Sequence, residues 1–230
     1  GKEIEPDEPK VYDHNGQKGY STGYAMRKGG LFDRTETINN GGTAVLVVFR
    51  ATEALLNYME AEYELTHNVN SGKIMEYWRA VRTAAGFTGK AIDPMTTINA
   101  TDMSKETSDW GSYSGGEQVD KYLYNIRRER RCEFIGEGLR WMDLQRWRSL
   151  DQLKSHPVHV EGMHLWNTPM TAKYDYTDNK GEKKSYLIAD GTGNANVSQR
   201  SLSEYLRPYE VNMVSNNFKD GLTWHMAHYL

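Results

Sequence analysis

The run IRRERRCEFIGEGLRWMDLQRW, from Ile126 to Trp147, limits the possible folds more than any other part of the chain. Glu129, Glu133 and Glu137 recur every four residues, so on a helix they stack on one face. Arg127, Arg130, Arg131 and Arg140 lie close to them, and Asp143 is three residues from both Arg140 and Arg146. Interleaved arginines and carboxylates in an aromatic setting make an ion-pair lattice. Arginine suits it because its planar fork pairs a carboxylate through two parallel bonds. Gly136 and Gly138 permit a bend between consecutive helices.

The rest of the chain alternates helical and irregular stretches. Residues 1–43 read as irregular, punctuated by prolines and glycines, with Tyr20–Arg27 as a strand candidate. From Val45 the pattern turns helical. Val48, Ala51, Leu55, Tyr58 and Leu65 form one apolar row and Val45, Phe49, Leu56, Met59 and Tyr63 a second, which predicts a helix buried between neighbours. Asn70 or Ser71 is placed to cap a second helix carrying Ile74, Trp78, Val81 and Ala85, with Gly86 at its end. The helix pair over 45–86 has the size of a tetratricopeptide unit without that repeat's residue signature. Residues 87–116 read as a long loop. Residues 117–150 form the lattice helices, with Trp141, Leu144 and Trp147 assigned to the core. Residues 153–230 are a loop-rich tail with a short helical candidate at Ser203–Tyr209.

A chain of 230 residues buries one sizeable core. Its 28 Lys+Arg against 31 Asp+Glu create no field of one sign, so nothing steers it toward nucleic acid or an anionic membrane. Cys132 is the single cysteine, which excludes an internal disulfide and any cysteine-based metal cluster. No apolar run approaches the roughly 20 residues of a membrane span. The aromatic balance is unusual: 15 Tyr and 6 Trp against 5 Phe, an excess of rings that join an apolar face to a polar handle.

The lattice segment resembles the helical signature of the SusD/RagB family. It matches in order at Ile126, Glu129-Arg130, Glu133-Phe134, Glu137-Gly138, Arg140-Trp141, Asp143-Leu144 and Arg146-Trp147. Phe49 to Glu62 is similar to the family's Arg-x-x-Glu-x-x-Leu-x-x-x-Glu-Ala helix, Trp78 to Gly86 to the Val-Arg-x-x-Ala-Gly element, and Ser21 to Tyr24 to the Thr-Gly-Tyr segment. The resemblance implies a mainly α, SusD-like helical fold: a tetratricopeptide-like helix pair plus further helices, with long irregular loops and few short strands. Family members are longer, with an N-terminal helical half and a lipid-modified cysteine. The sequence is therefore expected to be a C-terminal region, a single domain over 1–230, with that half absent. The implied function is cell-surface binding of an oligosaccharide, polysaccharide or other nutrient ligand for uptake through a SusC-like TonB-dependent transporter. The implied location is the outer membrane, reached only through a lipid anchor missing from this sequence. The alternative is an interaction scaffold packing on the transporter with no sugar site of its own. No nucleic-acid partner, cofactor or catalytic residue is implied.

A sugar site needs rings against which pyranose C–H faces stack, with polar groups for the hydroxyls. Loop aromatics are the candidates: Trp110 and Tyr113, Trp166 beside Asn167, and Tyr174 with Tyr176. An enzyme would instead need a carboxyl with a raised pKa, and arginine-ringed carboxylates are held ionised. That leaves Glu161, Asp175 and Asp178 as the carboxylates a hydrolase would have to use. His156, His159 and His164, and the pair His225 and His228, lack a ligand offset that marks a metal site. The loop from Asp175 to Gly181 lacks the ligand pattern and terminal Glu of a calcium loop.

Overall fold

Helix α1, Ala51–Thr66, buries Leu56, Met59 and Tyr63 on one stripe, together with the Glu60 carboxylate. The next residue, His67, turns left-handed, and its N–H donates to the Tyr63 carbonyl at 2.7 Å. Helix α2, Ile74–Ala84, buries Ile74, Trp78, Val81 and Arg82. Gly86, at φ 86°, follows it in a conformation a Cβ would strain. Helix α3, Pro94–Ala100, begins with proline behind an Asp93 cap. Helix α4, Lys121–Glu133, is capped by Asp120, which accepts from the N–H groups of Tyr122 and Leu123. Helix α5, Arg140–Arg146, follows the glycine bend.

The computed structural model describes Pro9, Val11, residues 21–24, Met26, Lys28, residues 47–154 and residues 159–212. The described residues group into two compact units, one drawn from Arg27–Gln152 and the other from Gly1–Met26 with Leu153–Ala227. In the helical unit, α1 packs on α2 and α4. Leu56, Met59, Ile74, Trp78, Ile98, Leu123, Ile126 and Phe134 close one core between them. Strands β1, Tyr113–Ser114, and β2, Glu117–Gln118, form a small antiparallel hairpin at its edge. The loop unit has its own core of Val11, Met163, Leu165, Trp166, Tyr174, Val197 and Leu206. It carries a second hairpin, β3, Asp175–Thr177, with β4, Lys183–Ser185. The architecture is mainly α with few short strands.

Several local expectations change. α1 starts at Ala51, and the preceding Val47, Val48 and Phe49 are non-helical and exposed, while Val45 lies outside the described residues. Only the Leu56–Met59–Tyr63 row is buried; Leu65 on the other row is exposed, because α2 and α4 both pack on the first. Ser71 caps nothing: its hydroxyl donates to Glu62 on α1, and the N-cap position of α2 is Lys73 without a side-chain bond. Trp141 is 47% exposed. At about 100° per residue, positions six apart on a helix stand about 120° from each other, so Trp141 and Trp147 cannot share an inward face. The stretch 87–116 is not one loop but holds α3, β1 and short 3-10 turns. Residues 21–23 of the Tyr20–Arg27 candidate form a turn, and Ser203–Tyr209 is not helical, Tyr205 lying instead in an antiparallel bridge with His164.

Candidate functional site

In the loop unit, residues 162–166 run antiparallel to 204–206. Gly162 N–H donates to the Leu206 carbonyl at 2.7 Å, Leu206 N–H to Met163 at 3.0 Å, and Leu165 N–H to Glu204 at 3.1 Å. Gly162 is required, since a Cβ there would lie 2.2 Å from the Thr22 carbonyl oxygen. Alternation along such a pair sends neighbouring side chains to opposite faces. Leu165 and Leu206 point into the core, and His164 and Tyr205 point out. Residues directly opposite in an antiparallel bridge hold their side chains close enough to touch. The two rings accordingly stack, with centroids 4.7 Å apart and planes 20° from parallel.

Polar groups flank this stack. Glu204 accepts from His164 Nε2 at 3.1 Å and from the Asn167 amide. These bonds, Asn167 first, hold its carboxyl below the usual range. Asn167 sits at φ 61°, a left-handed position that asparagine tolerates better than most residues. Tyr205 remains 43% exposed. One ring face lies on His164, and part of the rest of the residue reaches solvent.

The sequence-predicted residues separate. Trp166 is 8% exposed, its indole N–H donating to the Ser198 carbonyl at 3.2 Å, so it plugs the core beneath the stack. Tyr174 is 1% exposed, with its hydroxyl on the Pro9 carbonyl. Neither ring presents a face to a sugar. Tyr176 is half-buried and stacks on Tyr186 at 4.2 Å. Asn167 stands in the cluster just described. Trp110 and Tyr113 belong to the helical unit, both half-buried, beside Asp109. Tyr205 is not among the sequence candidates, and it lies in the Ser203–Tyr209 stretch that the sequence marks as a helical candidate. The period-two pairing of His164-Leu165 with Tyr205-Leu206 was the available signal.

Two of the three carboxylates open to a hydrolytic role are engaged otherwise, and Asp175, at the start of β3, is exposed. Burial would raise the Glu161 carboxyl, but hydrogen bonds from Ser203 and Arg207 hold it below its ordinary value. Asp178 is lowered by Lys184 and by the N–H groups of Glu182 and Lys180, so the oxygens a calcium ion would need already accept bonds. His159 pairs with Glu210. His156, His225 and His228 lie outside the described residues. Among the described residues no group of three potential metal ligands forms.

The lattice of the helical unit is structural. Glu129 accepts from Arg82 at 2.8 Å and from the Trp78 indole at 2.8 Å; Asp143 accepts from Arg130 and Arg146; Arg50 bridges Glu133 and Glu137. Asp109 receives Arg131, Arg140 and the Tyr124 hydroxyl. These bonds tie α2, α4 and α5 to one another, and the Arg146–Glu60 pair at 2.6 Å ties α5 to α1. Among the described residues no helix is long and apolar enough to cross a membrane.

Comparison with known proteins agrees with the lattice. The SusD family model matches residues 8–225, nearly the whole chain, while no curated protein and no solved structure matches. The chain belongs to the SusD family, binding proteins of glycan-based nutrient uptake that are generally associated with the outer membrane.

Proposed function

We propose that this chain captures an oligosaccharide at the cell surface for a SusC-like TonB-dependent transporter, with the His164–Tyr205 stack as a sugar platform. Attachment through a lipid anchor of the parent protein belongs to the same reading. The stack carries it: a partly exposed ring, backed by a packed core and flanked by an amide and a carboxylate. A pyranose laid on Tyr205 meets its C–H face with the ring and its hydroxyls with Asn167 and Glu204. Trp166 and Tyr174 act from below, by holding the platform rigid. Tyr176, and in the helical unit Trp110 and Tyr113, are the further candidates for ligand contact. An open surface of this kind gives modest affinity; a millimolar constant corresponds to about −4 kcal/mol.

Affinity electrophoresis against plant, host and microbial polysaccharides tests this. Retardation by one glycan class is expected, with no reducing ends released. Tyr205→Ala should weaken it about three- to tenfold, in line with the energy of a single ring contact. Unchanged retardation in both Tyr205→Ala and Asn167→Ala would remove the platform. A second reading, a scaffold packing on the transporter, draws on the exposed Ile135, Trp141 and Met142 of the helical unit. Retardation by none of the glycans would favour it.

A further inference from the structure

The helical unit contains a cleft of about 590 Å³ over Trp147, lined by Glu60, Glu64, Ser114, Arg127, Arg146 and Arg148. Three arginines and two glutamates line it, and Asp143 at 2.9 Å and Asp151 at 3.8 Å pair with Arg146 and Arg148 from outside the lining. Elsewhere in the unit buried arginines sit directly on carboxylates: Arg82 is 2.8 Å from Glu129 and Arg130 is 2.8 Å from Asp143.

Arg127 differs. It is 3% exposed, yet its nearest carboxylates, Glu64 and Glu60, stand at 3.7 and 3.9 Å. Glu60 is already committed, one oxygen accepting from Arg146 and the Trp147 indole and the other from Arg146 again. The Nη groups of Arg127 donate to the carbonyls of Gly111 and Tyr113 and to the Ser114 hydroxyl. Its Nε is buried with no hydrogen-bond partner among the described residues. Burial pulls its pKa below the ordinary arginine value, against the attraction of Glu60 and Glu64. A buried cation whose hydrogen bonds all go to neutral acceptors, with both carboxylates beyond 3.5 Å and Nε unpaired, is only weakly compensated beside an open cleft.

The rim supplies reachable donors. Arg148 has its side chain 72% exposed, with its nearest carboxylate, Asp151, at 3.8 Å. Its backbone is left-handed at φ 53°, a strained position for arginine, and is held there by bonds from Gly115 N–H to its carbonyl and from its own N–H to Gln145. Ser114 accepts from Arg127, which leaves its own proton for a ligand oxygen.

We infer that this cleft binds the carboxylate of an acidic saccharide, contacted by Arg148 and Ser114, with Arg127 as the fixed positive charge behind them. That a sugar carries the anion rests on the glycan-binding reading; the need for an anion does not.

Calorimetric titration of the full chain with digalacturonate, the neutral galactose disaccharide and inorganic phosphate tests the inference. Digalacturonate should bind about tenfold more tightly than the neutral disaccharide, as expected for one charge-assisted contact. Arg148→Gly should abolish that preference. Glycine relaxes the left-handed backbone, so its loss of binding is not a loss of folding. Ser114→Ala should weaken binding less, and Arg79→Ala, which removes an exposed cation outside the cleft, should leave it unchanged. Equal binding of the acidic and neutral disaccharides, or full digalacturonate binding in Arg148→Gly, would overturn the cleft. Phosphate binding as tight as digalacturonate would overturn the saccharide assignment. The Tyr205→Ala retardation reads the other surface, so either site can fail while the other stands.

Discussion

Glu60 lies on α1, yet its partners Arg146 and Trp147 are 86 and 87 residues further along the chain. Both of its oxygens accept charged or indole N–H groups, and the residue is buried. Removing Glu60 strands the buried Trp147 indole N–H, while Arg146, with its side chain 44% exposed, keeps Asp143. Glu60→Ala is expected to lower stability by about 1–3 kcal/mol, read from urea denaturation midpoints. Glu76, whose pairing with Lys73 is exposed, should change it by less than about 1 kcal/mol when truncated. Equal effects at the two sites would show that burial does not set the weight of these pairs. In sequence the lattice was legible as a run of alternating charge, because its members from Arg127 to Arg146 are neighbours along the chain. Glu60 as its hub was not, since nothing within α1 announces a carboxylate that must be satisfied from far away. Tyr205 escaped for a similar reason: its stacking partner His164 is remote in sequence, and neither ring has an apolar stripe of its own.

Helices α1, α2 and α4 were read correctly in type because each carries a stripe of large apolar residues, and α2 has a glycine stop. Boundaries and short elements were less visible. α5 has only two turns, too few for a spacing of three to reveal that Trp141 turns outward while Trp147 turns in. The start of α4 depends on Asp120, which caps Tyr122 at 2.8 Å and Leu123 at 3.1 Å and also accepts from the Tyr63 hydroxyl of α1 at 2.9 Å. It therefore fixes both the first turn of α4 and the seating of that helix on α1. Asp120→Ala should cost about 0.5–2 kcal/mol as a cap, with a further loss from the stranded Tyr63 hydroxyl. Hydrogen exchange should show the amides of Tyr122 and Leu123 opening first. Protection there equal to the wild type would mean that packing alone defines the helix start.

Each compact unit holds a carboxylate whose charge is favoured by folding. In the helical unit Glu137 would be raised by burial, but Arg50 and Lys28 hold it lowered; in the loop unit Glu161 is lowered by Ser203 and Arg207. Both have an ordinary value of 4.5, and a lowered folded value means that the stabilisation is present above it. As pH falls below that value and through the folded ones, protons bind the unfolded chain first and stability drops. Denaturation midpoints should decline between about pH 5 and pH 3, and Glu137→Gln combined with Glu161→Gln should flatten the decline. A decline of the same steepness in the double variant would assign it to other groups. The lattice has one more consequence, visible at Asp109, which serves Arg131, Arg140 and the Tyr124 hydroxyl together. A change there removes the shared acceptor of two arginines at once, the Tyr124 hydroxyl keeping Glu106 at 2.8 Å, whereas replacing Tyr205 removes a ring and leaves no buried donor behind. Over generations the helical unit is bound to alter in matched sets, while the surface around Tyr205 is free to drift one residue at a time. Under the proposed platform reading, a lineage can follow a shifting supply of sugars without rebuilding its frame.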